Sequence, residues 1–194
     1  MNLLLFGPQG SGKGTQAKRI SEAHGIPHIS TGDMFRAAMQ GETELGLKIK
    51  PIYDRGDLVP DDLTVALIRE RLAEADAAAG FVLDGFPRNL HQAEALDVML
   101  AEIGRRLDAI LFFDLDDETA TARALGRAHE EGRADDTRDG IARRLAVYHE
   151  VTEPVVEHYR ATGKLVPIHA ERSIGAVWAE IEDALSLLGD EDAA

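Results

Sequence analysis

The chain has no cysteine among its 194 residues. That excludes a disulfide framework and a cysteine-ligated zinc site, and it fits a reducing compartment. Long apolar runs are also missing. The N-terminal apolar stretch, Leu3 to Phe6, is too short and too uncharged in front for a signal peptide, and nothing approaches the roughly 20 residues that span a bilayer. The expectation is a soluble, cytoplasmic protein. Positive charge is scarce, with 21 Lys and Arg against 35 Asp and Glu and a net charge of −14. A nucleic-acid surface needs a broad basic face, so that class is disfavoured. Any anionic ligand must instead meet basic residues gathered in one cleft. Asparagine occurs only as Asn2 and Asn89, so the Asn-Lys-x-Asp motif of guanine-nucleotide switches is missing, as is Asp-x-x-Gly. The seven histidines lack metal-ligand spacing. His24 and His28 are separated by Gly25 and Pro27, which break a helix, and all seven read as structural or surface residues.

What the chain does have is concentrated near its start. A buried strand leads into Leu5-Phe6-Gly7-Pro8-Gln9-Gly10-Ser11-Gly12-Lys13-Gly14-Thr15-Gln16. Gly7 and Gly12-Lys13 fit the G-x-x-x-x-G-K phosphate loop. In that motif glycines let backbone N–H groups wrap a phosphate at a helix N-terminus, and the lysine reaches the outer phosphates. The position after the lysine, usually a Mg²⁺-holding Ser or Thr, is Gly14, and the hydroxyl follows at Thr15. The competing reading is a glycine-rich turn that binds nothing. The strand-to-helix context of glycines, lysine and hydroxyl argues against it.

The rest alternates strand and helix. A helix from Thr15 to His24 is closed by Gly25, and a strand covers Ile26 to Ser30. A helix starts at Ser30 to Asp33 and stops at Gly41, and a shorter one marred by Pro51 covers 43–56. A long helix capped by Asp61-Asp62 runs to Gly80. Strands at Phe81–Asp84 and Ala109–Asp114 are followed by helices at about 89–104 and 118–128, then by a surface loop at 129–135. A helix from Asp136 to Thr162, kinked at Pro154, precedes a strand at 164–170 and a last helix capped by Ser173 with Ile174, Val177, Trp178, Ile181, Leu185 and Leu188 at helical spacing. The pattern predicts an α/β fold, a five-stranded parallel sheet flanked by helices, with ligands at the carboxyl ends of the strands. Gly7 to Lys13, Thr31 to Arg36 and Asp84 to Arg88 all leave such ends, and their convergence on one rim outweighs any single motif. Asp84 closes an apolar strand, where a carboxylate beside bound phosphate implies an intervening cation.

With these residues in view, the chain resembles the adenylate kinases. Gly7 to Gln16, Ser-Thr-Gly-Asp-Met-Phe-Arg at 30–36, Asp-Gly-Phe-Pro-Arg at 84–88 with Gln92, Arg123 with Arg127, and Arg133-Ala-Asp-Asp with Arg144 stand in that family's order and spacing, over nearly the whole chain. The resemblance implies the nucleoside monophosphate kinase architecture: a single kinase domain over 1–194, an AMP-binding helical excursion at about 31–60 and a short lid loop at about 127–136. It implies transfer from ATP to AMP giving two ADP, with Mg²⁺ on the ATP phosphates oriented by Asp84 through water.

Residue by residue, the resemblance implies that Gly10, Ser11, Gly12, Lys13, Gly14 and Thr15 hold the ATP phosphates and that Arg123 stacks near the ATP adenine. Arg36 and Arg88 clamp the AMP phosphate. Thr31 and Gln92 contact the AMP adenine, and Gly85, Leu58 and Val59 line its pocket. Arg127, Arg133 and Arg144 fold over the transferring phosphoryl group, with Arg133 and Arg144 also reaching AMP. The attacking phosphate oxygen is already anionic, so alignment and charge stabilisation suffice without a side-chain base. Arg105, Arg106, Arg138 and Arg143 read as a solvated helix face. Asp135 and Asp136 read equally well as a helix N-cap and as a brace for Arg133.

Only five residues separate Arg127 from Arg133, where many bacterial relatives carry a long insert, sometimes with four zinc-binding cysteines. The short form needs no structural zinc. The nearest rival is a UMP/CMP kinase, against which Thr31 argues because pyrimidine-specific relatives tend to have Ala there. A nucleotide-binding module without turnover is the other rival, but it would be expected to lose Lys13 or an arginine. No heptad or long exposed apolar stretch advertises an interface, so a monomer is expected.

Overall fold

The computed structural model describes the backbone of residues 1–131 and 137–191, with side chains to 127 and from 137 to 187. Five strands form one parallel sheet in the order β2-β3-β1-β4-β5. They are β1 (Asn2–Phe6), β2 (His28–Ser30), β3 (Phe81–Asp84), β4 (Ala109–Asp114) and β5 (Leu165–His169). The parallel sheet is as the sequence predicts. Strand β1 is buried along its whole length, which is why it reads as an unbroken apolar run: a central parallel strand is covered on both faces.

Helices cover each face. On one side α1 (Lys13–His24), α6 (Asp117–Glu131), α7 (Arg138–Val147) and α9 (Ile174–Glu191) pack over a core that includes Leu3, Leu5, Leu111, Phe113 and Ile168. On the other, α4 (Asp61–Leu72), α5 (Leu90–Glu102) and α8 (Glu153–Arg160) enclose Leu4, Phe81, Leu83, Ile110 and Tyr159. Alternate β1 residues serve the two cores, as a period of two requires. The hairpin of α2 (Thr31–Gln40) and α3 (Glu44–Asp54) has its own small cluster of Phe35, Ile49 and Val59.

Several boundaries differ from the sequence reading for local reasons. The long helix after Asp61 ends at Leu72, and a 3₁₀ turn at Ala75–Ala79 carries the chain to Gly80. Asp61-Asp62 does not cap α4, because Pro60 holds the N-cap position and no side chain bonds there. Pro51 sits inside α3 without ending it. The helix expected from Asp136 to Thr162 is divided by a wide π turn at Tyr148–Thr152. That turn lies just before Pro154, whose ring would meet the carbonyl of Glu150 four residues back in a regular α-helix. Arg105 is not merely solvated: it donates to the carbonyls of Ala77 (2.7 Å) and Ala78, closing the 3₁₀ turn against α5. Residues 129–131, expected as loop, continue α6. Arg133, Asp135 and Asp136 lie outside the described residues, as does the side chain of Leu188.

The α2–α3 hairpin depends on Gly46, where an added Cβ would fall 2.0 Å from the carbonyl oxygen of Ala38. Glycine to alanine inside a helix ordinarily stabilises by about 1 kcal/mol. Here the sign reverses, since backbone must move: Gly46→Ala is expected to cost about 1–3 kcal/mol, measured as a lower denaturant midpoint at unchanged slope.

Candidate functional site

A cleft of ≈ 1060 Å³ opens over the carboxyl ends of β1, β2 and β3, lined by the 7–16 loop, the α2–α3 hairpin and the 84–88 turn. Register explains the convergence. Asp84 pairs with Leu5 on one side and with Ser30 on the other, so the segments that follow these residues leave the sheet side by side. Strand β4 lies across β1 from β3, and a crevice beside such a reversal of strand order is the usual ligand position in open α/β sheets.

The loop from Gly7 to Lys13 is shaped by what surrounds it. A Cβ on Gly7 would fall 2.6 Å from the Phe113 carbonyl oxygen, and one on Gly10 would fall 2.4 Å from that of Ala120. Gly12 is the left-handed N-cap of α1, at φ 86°, and no side chain caps that helix. The first N–H groups of α1 are left for an anion, with no acidic residue in the first turn to compete. Lys13 Nζ folds over the loop and donates to the carbonyls of Gly7 and Pro8 at 2.7 Å and to Ser11 Oγ at 3.2 Å. Burial pushes the Lys13 ammonium down to about 8, Asp84 opposes that fall, and Arg88 and Arg127 add to it.

Asp84 lies at the cleft floor. Burial pushes its carboxyl up, but His28, Lys13 and Arg88 outweigh burial and hold it below the usual carboxylate range. His28 Nε2 is 3.6 Å from Asp84 Oδ2 and has no hydrogen-bond partner. His28 therefore faces the floor of the cleft, contrary to the sequence reading of every histidine as structural or surface. The only hint in the sequence is a polar residue inside the apolar strand segment Ile26 to Ser30. The carboxylate of Asp84 is a hard oxygen donor, and with the Thr15 hydroxyl on the wall of the same cleft it is of the kind that suits Mg²⁺ held largely through water.

On the hairpin side, Arg36 donates to Tyr53 Oη at 2.6 Å and pairs with Asp33. Arg88 donates from Nε to the Gly85 carbonyl at 2.8 Å, and burial lowers its guanidinium from the ordinary arginine value. The Gly85 carbonyl also receives the Thr31 hydroxyl at 2.8 Å. Thr31 is 1% exposed, so in this conformation its proton is committed to the neighbouring turn. Gln92 is held at both ends, accepting from the Arg88 N–H (2.7 Å) and donating to Asp61 Oδ1 (2.6 Å). The same Asp61 oxygen accepts from Asn89 Nδ2 at 2.9 Å. Asp61 thus orients Gln92, a role with no signal in sequence because the partners are 28 and 31 residues apart.

Arg123 donates to the Ala170 and Glu171 carbonyls at 2.7 and 3.0 Å, docking α6 on the chain after β5. Arg127 and Arg144 also line the cleft, as do Gly10, Ser11, Gly12, Gly14, Thr15, Leu58, Val59 and Gly85. Tyr53, Tyr148 and Arg172 line it too and were not anticipated. Taken together, the cleft offers a phosphate cradle under α1 and a second basic side built from Arg36 and Arg88, with a carboxylate between.

A family model described as adenylate kinase matches residues 5–164. Three curated relatives carry the printed name "Adenylate kinase". One from Parvibaculum lavamentivorans is 48% identical over 190 residues, covering 96% of this chain and 93% of the relative. One from Caulobacter sp. is 46% identical and covers 97% of this chain and all of the relative (100%). One from Thermobifida fusca is 50% identical, covering 95% and 98%.

Proposed function

Because the chain belongs to the adenylate kinase family, we propose that the cleft binds ATP in the phosphate cradle and AMP on the hairpin side and moves a phosphoryl group between them, giving two ADP. The chain is an adenylate kinase, active on adenine nucleotides. The observation that supports the division of the cleft is its two-sided cationic wall, with Lys13 and the start of α1 on one side and Arg36 and Arg88 on the other.

The chain's own residues supply position and charge. Backbone N–H groups of the loop and Lys13 hold the donor phosphates, exchanging the Gly7 and Pro8 carbonyls for phosphate oxygens. Arg36 and Arg88 fix the acceptor phosphate, which is already ionised and needs no general base. Arg127 and Arg144, with Arg133, stabilise the charge spread over the transferring group. Arg123 flanks the donor base. Thr31, Gln92, Gly85, Leu58 and Val59 form the acceptor-base pocket, the Thr31 hydroxyl oxygen keeping lone pairs after its proton goes to Gly85. Asp84, with the Thr15 hydroxyl lining the same cleft, would hold Mg²⁺ through water, and that ion would neutralise the donor phosphates. The α2–α3 hairpin at 31–60 and the segment at 127–136 close over both substrates and exclude water within a single kinase domain. The protein works as a cytoplasmic monomer with no zinc requirement.

The test is phosphoryl transfer from Mg-ATP to AMP, CMP, UMP and GMP in parallel, with a no-acceptor control and products separated by chromatography. ADP formation with AMP alone is expected, with ATP hydrolysis in the control far slower than transfer. A preference for UMP or CMP would overturn the acceptor-base assignment. Hydrolysis as fast as transfer would overturn the closure.

The Lys13 ammonium also sets a pH dependence. Phosphate binds the charged form, so docking raises the lysine from about 8, and above that pH binding must take up a proton. ATP affinity is therefore expected to be flat below about pH 7.5 and to fall towards tenfold per unit above about pH 8.5. Calorimetry in buffers of different ionisation heat checks both the slope and the proton uptake.

A further inference from the structure

One side chain of the phosphate loop makes a contact that holding a phosphate does not require. Gln9 Nε2 donates to the Ile141 carbonyl at 2.8 Å, across 132 positions of sequence. Gln9 Oε1 is buried with no hydrogen-bond partner, a costly arrangement that calls for an explanation other than stability. Ile141 lies in the first turns of α7, after the cap at Thr137. Arg144 stands three residues further along the same helix and donates from Nε to the Gly140 carbonyl at 3.2 Å. The next loop residue, Gly10, is pressed against the Ala120 carbonyl of α6. Consecutive loop residues thus touch the two helices that flank 132–136, Gly10 by close approach and Gln9 by a hydrogen bond.

We propose that Gln9 is a positioning residue: its amide ties the start of α7 to the phosphate loop and so sets Arg144 against the phosphates that the loop holds. The proposal rests on the reading of Arg144 as a group that stabilises the transferring phosphoryl. The bond to Ile141 holds the Gln9 amide on α7 through one of its two N–H groups, and its oxygen is an acceptor that phosphate oxygens repel. An arginine carried on a helix needs such a tie, since a displacement of about 1 Å from the productive position can cost up to about a hundredfold in rate.

The test uses Gln9→Met, which keeps length and volume while removing both polar atoms, and Gln9→Glu, whose ionised carboxylate cannot donate to Ile141. Gln9→Met is expected to lower kcat about tenfold, the worth of one neutral hydrogen bond, with the KM for ATP within about twofold. Gln9→Glu should lower kcat at least as much and also raise the KM for ATP, since its carboxylate repels phosphate. Amide hydrogen exchange across 138–147 of the nucleotide-free protein should become faster in both, with the rest of the chain unchanged. In an Arg144→Ala background Gln9→Met should cost less than about twofold further, because two residues that act as one unit are not additive. A kcat within about twofold of wild type would overturn the proposal. So would a raised KM for ATP at unchanged kcat, unchanged exchange in α7, or a full tenfold further loss without Arg144. A wild-type protein that makes no ADP would reject the assigned reaction instead, and the exchange measurement would still decide whether Gln9 holds α7.

Discussion

Lys13→Met is expected to lower kcat/KM for ATP by about a thousandfold or more while changing the stability of the nucleotide-free protein by no more than about 1 kcal/mol. In the proposed function the loss follows from removing a charge-assisted donor to the outer phosphates, an interaction that strengthens as charge shifts in the transition state. Stability is set by two opposing effects. Burial lowers the ammonium from 10.5 to about 8, so the charged form opposes folding. That penalty is present in full below about pH 8 and disappears only above the unfolded value. It would be about 3 kcal/mol for a wholly enclosed group, and less here because Lys13 is partly open to the cleft. Methionine removes the penalty but also the bonds to Gly7, Pro8 and Ser11, each worth about 1 kcal/mol. The two nearly cancel. Asp84 keeps Arg88 and His28 as neighbours. Activity assays with a thermal melt decide the matter: activity within tenfold of wild type, or a melting point more than about 5 °C lower, would make Lys13 a structural residue.

Arg88→Met is expected to reduce kcat/KM for AMP about a thousandfold while the KM for ATP stays within about threefold, because the proposed role of the lost fork is at the acceptor phosphate only. Arg88→Lys should recover less than about a tenth of the loss. A lysine presents a point charge, and it cannot both hold the Gly85 carbonyl, as Arg88 Nε does at 2.8 Å, and present two parallel donors to a phosphate. Little stability should be lost, since Gly85 retains the Thr31 hydroxyl and Gln92 bonds the Arg88 main chain, which the substitution keeps. Initial rates with each substrate varied separately, in both directions of the reaction, are the check. Equal losses for ATP and AMP would show that Arg88 serves both sides.

The sequence carried the sheet and the site unevenly. Strands β3 and β4 are legible to the residue, as Phe81–Asp84 and Ala109–Asp114, because a doubly covered parallel strand must be apolar throughout and ends where the chain meets solvent or ligand. The helices were less legible at their ends. Asp61 looked like a cap by its residue type, yet Pro60 took that position and Asp61 turned to Gln92 and Asn89. Capping is a competition among local partners, and a long-range partner can win it.

By itself, the sequence determined the family and with it the class of reaction. The spacing of Gly7, Gly12 and Lys13 fits a phosphate loop at a helix start, and in the proposed function the cleft arginines act by charge and alignment. Only the tertiary structure decided which of the remaining polar groups face that cradle. His28 at the floor, Asp61 behind Gln92, and Gln9 across to Ile141 are each joined through pairs separated by 28 residues or more. Hydrophobic periodicity fixes which face of an element is buried, but the register between strands and the crossing of helices fix which polar atoms meet, and these are set by packing over the whole chain.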